Sequence, residues 1–136
     1  MRYRVYWEDT DAGGVVYHAR YLHFFERARS DWLLALGFPQ VALRNQANRL
    51  FAVSRMDTRF VSPARLEDEL EVTVAVEALR AASVHFDQAI YRVSDGELLA
   101  RASVRVVCLS ADQFRPARAP EDLAAAIKQY QTETRS

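Results

Sequence analysis

The chain has 136 residues with 18 acidic and 18 basic side chains; half of its residues are hydrophobic and 26% are charged. That size and balance predict a single globular domain over 1–136, and the neutral sum argues against nucleic acid or an anionic membrane surface as a partner. Cys108 is the only cysteine, which excludes an intrachain disulfide, and within the apolar run Val104–Leu109 it reads as a small buried hydrophobe.

Arg2–Trp7, with Tyr3, Val5, Tyr6 and Trp7, reads as a first strand. Arg2, Arg4, Glu8 and Asp9 interrupt any signal-like opening, and no apolar run approaches the roughly 20 residues of a membrane span. A cytoplasmic protein without stable membrane insertion is therefore expected. Glu8–Gly14 is a turn-rich loop. From Ala19 to Leu36 the period becomes helical: Tyr21, Phe24, Phe25, Ala28, Trp32, Ala35 and Leu36 share one face, with Arg20, His23, Arg27, Ser30 and Asp31 opposite. Gly37 and Pro39 end that helix. A short helix is expected around Val41–Leu43, then a strand over Leu50–Phe60, broken by Val61-Ser62-Pro63-Ala64-Arg65.

Glu69–Leu79 alternates cleanly and predicts one strand with Leu70, Val72, Val74, Val76 and Ala78 on its buried face. After the turn Arg80-Ala81-Ala82, a strand over Ser83–Val93 presents Val84, Phe86 and Ile90. Ser94-Asp95-Gly96-Glu97 is a hairpin turn leading into a third long strand, Leu98–Leu109. Asp112–Pro120 is irregular and basic; Glu121–Tyr130 is a terminal helix, with Gln131–Ser136 expected to fray. The sum is an α+β fold: one long central helix against a curved antiparallel sheet of about five strands. Outward apolar positions (Ala75, Ala89, Tyr91, Leu99 and Val107) point to further burial against a second copy of the chain.

The segment Trp7–Tyr21 concentrates the chemistry. It sets carboxylates and two glycines immediately before the long helix, where unpaired backbone N–H groups and the helix dipole favour negative charge. That arrangement suits reaction at a carbonyl, the carboxylate acting as nucleophile or base and the N–H groups holding an oxyanion. The competing reading makes Asp9 and Asp11 loop anchors or N-caps. A carboxylate turned from any cleft, or consumed in capping its own loop, would count against the chemical role. Three scattered histidines (His18, His23 and His85) without a cysteine pair predict no metal site.

The run Glu8-Asp9-Thr10-Asp11-Ala12-Gly13-Gly14-Val15-Val16-Tyr17-His18, with Tyr21 and Phe24-Phe25-Glu26-Arg27-Ala28-Arg29, resembles the hotdog-fold acyl-CoA thioesterases. Within them it is similar to the 4-hydroxybenzoyl-CoA thioesterase-like branch and to the YbgC-type enzymes associated with the Tol–Pal system. The likeness extends over Ser62-Pro63-Ala64, the hairpin strands and the tail before Pro120. It implies a hotdog fold and hydrolysis of an acyl-CoA thioester without metal or organic cofactor. It implies Asp11 as the catalytic carboxylate and the backbone N–H of His18 as oxyanion donor, with the His18 imidazole available to substrate or to Asp11. Gly14, Val15, Tyr17 and Tyr21 would line the substrate site, Tyr17 shaping the acyl pocket, and Arg80 and Arg115 would meet the phosphates of CoA. It further implies an active site at a homodimer interface, with assembly to a tetramer. Two rival readings remain open from the residues: a hydratase or dehydratase using His18 with Asp11, and a module that binds acyl-carrier protein without catalysis.

Overall fold

A computed structural model describes the backbone of residues 1–135 and the side chains of residues 1–134. The elements run β1 (Arg2–Arg4), a 3-10 turn (Trp7–Asp9), α1 (His18–Ala35), α2 (Gln40–Ala47), β2 (Arg49–Phe60), β3 (Glu69–Val72), β4 (Ala75–Arg80), β5 (Ser83–Arg92), β6 (Leu98–Ser110) and α3 (Glu121–Arg135). The sheet is antiparallel with order β1-β3-β5-β6-β2, and β4 also pairs with β5. The α+β architecture expected from the periodicity is the one that forms.

α1 buries Tyr21, Phe24, Phe25, Ala28, Trp32 and Leu33. These residues and the inward residues of the sheet, among them Leu70, Val72, Phe86, Ile90 and Val104, form one core. Burial of these side chains stabilises the fold, each fully buried one contributing about 1.5–3 kcal/mol. Trp32 meets Phe86 and Tyr130 edge-on, with ring centroids 5.2 and 5.3 Å away. Gly37, at φ 98°, closes α1 in the left-handed conformation that a C′ residue needs.

Four expectations are corrected. The first strand ends at Arg4, because the Asp9 carboxylate accepts the Tyr6 N–H at 2.9 Å and winds the chain into a 3-10 turn. The alternating run Glu69–Leu79 is two strands, making six in the sheet. Thr73 interrupts it: its hydroxyl accepts the Ala89 N–H at 3.0 Å, while the buried Gln88 reaches its carbonyl. Leu99 and Ala89 are buried within the single chain, at 0% and 3% exposure. A register shift falls between Ile90 and Tyr91, where Ile90 pairs with Ala100 and Tyr91 with Leu98; Leu99 is left between those pairs, its carbonyl accepting the N–H groups of Val61 and Ser62. The last helix continues to Arg135 instead of fraying after Tyr130. It is tied to β4, since Gln131 donates to the Glu77 carbonyl at 3.0 Å and the Tyr130 hydroxyl donates to the Val74 carbonyl. Ser136 lies outside the described residues.

Candidate active site

The loop between the 3-10 turn and α1 is built by its own short-range hydrogen bonds. Asp11 N–H donates to the Val15 carbonyl at 2.9 Å and Gly14 N–H to the Asp11 carbonyl at 3.1 Å, closing a tight turn. Gly14 sits at φ 76°, which favours glycine. The Oδ1 oxygen of Asp11 accepts the Gly13 N–H at 2.8 Å. A Cβ on Gly13 would come within 3.2 Å of that oxygen, so the missing side chain makes room for the carboxylate. The loop-anchor reading of Asp11 thus accounts for one of its two oxygens. Asp11 itself is exposed in the single chain.

Asp9 is the buried member of the pair, at 4% exposure. Its carboxylate takes the Tyr6 N–H and lies 4.0 Å from the Arg20 guanidinium, while its carbonyl accepts the Tyr17 N–H at 3.0 Å. It fixes the entry to α1 and has no room for substrate.

α1 begins at His18, with Tyr17 as the extended N-cap and no side chain capping it. Among the described residues no backbone or side-chain acceptor meets the N–H groups of His18 and Ala19. Both residues are exposed. Unpaired donors here, at the positive end of an 18-residue helix, form a ready anion site. The His18 ring lies 4.9 Å from the ring of Phe60, whose other neighbour is the edge of Tyr21 at 5.3 Å.

The loop hangs from the segment after β2. Val15 bridges to Arg65, and Val16 N–H donates to the Ala64 carbonyl at 2.8 Å. Ala64 N–H in turn donates to the Tyr21 hydroxyl at 2.9 Å. Tyr21, 3% exposed, is therefore a support beneath the loop, while Tyr17 at 57% and the partly exposed Val15 face outward with Asp11 and Gly14.

Arg92 holds the same segment from behind. It donates to the Pro63 carbonyl at 2.8 Å and to the carboxylates of Asp68, Asp95 and Glu97 at 3.0, 2.8 and 2.9 Å. Those acceptors, Asp68 first, raise its pKa above the ordinary guanidinium range. The sequence reading missed Phe60 and Arg92. A signal existed for Arg92, an arginine set beside the acidic hairpin turn, but its reach to Pro63 depends on the tertiary fold.

Arg80 and Arg115 are exposed at the other end of the sheet. The turn after Arg80 is tied to the segment after Arg115 by Ala119 N–H donating to the Ala81 carbonyl at 3.0 Å. In register, Phe60 pairs with Ala100 whereas Ser83 pairs with Val107, so roughly 23 Å of β6 separates these two register positions. Within one chain the structure groups Asp11, Gly14, Val15, Tyr17 and His18, and keeps Arg80 and Arg115 away from them.

A family profile described as the thioesterase-like superfamily matches residues 5–127. The chain belongs to the thioesterase-like superfamily. Acyl-CoA thioesterase YbgC from Haemophilus influenzae is 42% identical to this thioesterase-like chain over 124 residues, covering 91% of it and 90% of the relative. Acyl-CoA thioester hydrolase YbgC from Escherichia coli O157:H7 is 43% identical over 127 residues, covering 93% and 92%. The fold of this superfamily member superposes on a 1,4-dihydroxy-2-naphthoyl-CoA thioesterase from Synechocystis with a TM-score of 0.87 at 26% identity, covering 94% of the chain and 93% of that structure. The hotdog fold that the motif implied is thereby established for this thioesterase-like chain.

Proposed function

We infer that this chain is an acyl-CoA thioester hydrolase in which Asp11 and the His18 N–H carry the reaction. The observation behind this reading is the pair of unpartnered N–H groups at the start of α1, opened by the same loop that presents Asp11. A thioester carbonyl is already electrophilic, because sulfur donates weakly into it. The oxygen that develops negative charge is held by His18 N–H and the helix dipole; one such donor contributes about 3 kcal/mol.

Gly13 holds Oδ1 of Asp11, leaving Oδ2 to act. It either attacks the carbonyl carbon, forming an acyl–aspartyl anhydride as the carbon–sulfur bond breaks, or removes a proton from an attacking water. Both routes end in the free acid and the CoA thiol, with one water consumed. Asp11→Asn keeps an oxygen for Gly13, so fold and assembly persist while thiol release falls by about a hundredfold or more. Retained turnover would reduce Asp11 to a loop anchor. In heavy-oxygen water, label accumulating on Asp11 over repeated turnovers identifies the anhydride route.

The site is completed by a second copy. β2 is a 12-residue edge strand with Val53 and Phe60 about half exposed, a free edge of the kind that pairs. Antiparallel pairing of two β2 edges about a two-fold axis sets the Phe60 end of one chain beside the Arg49 end of the other. Arg80 and Arg115 of the second copy then lie alongside Asp11, where they meet the phosphates of CoA. Two dimers form a tetramer, and the enzyme works in the cytoplasm; no described helix is long and apolar enough to cross a membrane. Acyl-carrier protein is an alternative carrier of the acyl thioester, distinguished by comparing hydrolysis of one acyl group on the two carriers.

A further inference from the structure

Ala64 is the wholly buried residue from which the loop before α1 hangs. Its carbonyl takes the Val16 N–H, its N–H reaches the Tyr21 hydroxyl, and its neighbour Arg65 bridges Val15. The place of the His18 N–H, just beyond Val16, is therefore set by where the strap 63–65 lies. That strap runs into a tight turn closed by Asp68 N–H donating to the Arg65 carbonyl at 3.1 Å, in which Glu67 holds φ 69°. A residue with a side chain stays in the left-handed region only where its surroundings fix it.

One guanidinium holds both sides of Ala64. Arg92 Nη2 donates to the Pro63 carbonyl at 2.8 Å. Its Nε donates at 3.0 Å to Oδ2 of Asp68, and that same oxygen accepts the Arg65 N–H at 2.9 Å. Arg92 thus fixes the residue before Ala64 directly and the residue after it through Asp68. Its Nη1 is taken by Asp95 and Glu97 on the β5–β6 hairpin turn, which orients the fork from the sheet side. The side chain is only 13% exposed, so water competes little for these donors. Three carboxylates around one cation exceed what neutrality needs; what they add is direction. A lysine ammonium would keep the charge but lacks the planar fork that reaches Pro63 and Asp68 together.

We propose that Arg92 and Asp68 are positioning residues for thioester hydrolysis: their clamp on Pro63 and Arg65 holds the Ala64 carbonyl, and through Val16 the His18 N–H, where the oxyanion forms. Both act through the strap and not on the substrate. This role rests on the proposed function of Asp11 and His18. Misplacing a reacting group by about 1 Å can cost about a hundredfold in rate, so a slack strap lowers turnover while the residues that bind substrate stay in place.

The test uses the full chain and whichever of acetyl-, hexanoyl-, palmitoyl- and benzoyl-CoA it hydrolyses fastest. Assayed well below its unfolding transition, Arg92→Lys lowers kcat by about tenfold or more and leaves KM within about twofold. A merely structural role would lower the unfolding temperature and leave kcat of the folded enzyme unchanged. Asp68→Asn gives the same split, and the double variant loses no more than the worse single one, because both act through one strap. Asp95→Asn, which touches no strap atom, costs less than Asp68→Asn. Amide hydrogen exchange supplies a readout that does not depend on turnover: Arg92→Lys speeds exchange of the Val16 N–H by about tenfold or more, while the strand amides of β5 and β6 keep their protection. Asp11→Asn, assayed alongside, tests the chemical reading; if it keeps full activity that reading fails, and the Val16 exchange rate still tests the clamp. Wild-type kcat in Arg92→Lys, a loss confined to KM, a larger loss in Asp95→Asn than in Asp68→Asn, losses that multiply in the double variant, or unchanged Val16 exchange would each overturn the assignment. Should Arg92→Lys not fold, Asp68→Asn carries the kinetic and exchange tests with the same outcomes.

Discussion

The Tyr21 hydroxyl accepts the Ala64 N–H at 2.9 Å, and through that bond the middle of α1's first turns supports the strap on which the Asp11 loop hangs. Tyr21→Phe keeps the ring and its contact with Phe60 but leaves a buried N–H without an acceptor. The expected loss is about 1–3 kcal/mol of stability. Urea unfolding measures it, and acyl-CoA hydrolysis assayed well below the midpoint shows an added fall in kcat as the strap loosens. Unchanged stability would mean that water replaces the hydroxyl without cost.

Gly13 and Gly14 separate shape from chemistry. Nothing lies within 4 Å of a Cβ built on Gly14, yet its φ of 76° strains any other residue. Gly14→Ala therefore costs roughly 1–2 kcal/mol of stability and leaves turnover nearly intact. Gly13→Ala presses a methyl to 3.2 Å from Asp11 Oδ1 and displaces the carboxylate. It lowers kcat by about tenfold or more with little loss of stability, since small misplacements of a reacting group are expensive. Thermal unfolding beside steady-state kinetics on both variants checks the contrast; the opposite ranking would show that the carboxylate's position is unimportant.

A site shared between copies predicts complementation. Asp11→Asn and the double variant Arg80→Ala, Arg115→Ala are each expected to be impaired as pure homodimers. After mixed unfolding and reassociation, half of the dimers are hybrids, and each hybrid has one site with every contributing side chain intact. Recovery of about a quarter of wild-type activity is expected for a two-fold symmetric assembly. No recovery would place both sets of residues in a site made by one chain, against the roughly 23 Å of β6 between the register positions of Phe60 and Ser83.

Burial raises the pKa of the Cys108 thiol from its ordinary 9.0, with the charge of Arg49 opposing. The folded chain thus keeps the proton longer than the unfolded one. The stabilisation is fully present below pH 9 and is lost as pH rises through the higher folded value. Urea midpoints should fall from pH 8.5 to 10, and Cys108→Ala should flatten that slope. A slope unaffected by the substitution would assign the alkaline loss to Tyr3, Tyr21 and Tyr130, whose hydroxyls burial also raises.

Local patterns were legible wherever one residue's neighbours decide its conformation. The spacing of Tyr21, Phe24, Phe25, Ala28 and Trp32 determined a helix with one buried face, and Asp95-Gly96 determined a turn. The motif from Asp11 to His18 determined the family, because its glycines and carboxylate answer to a backbone shape held within eight residues. Alternation failed at Thr73, where a side chain from another strand, Gln88, competes for the ladder. It also failed at Leu99, which a register shift turns inward. Only the tertiary structure decided that Arg92 clamps Pro63, that Tyr21 serves Ala64, and that Arg80 and Arg115 lie far from Asp11 on the same chain. Sequence records short-range preference directly, whereas these relations depend on which strands pair, in what register, and on which edge is left open for another copy.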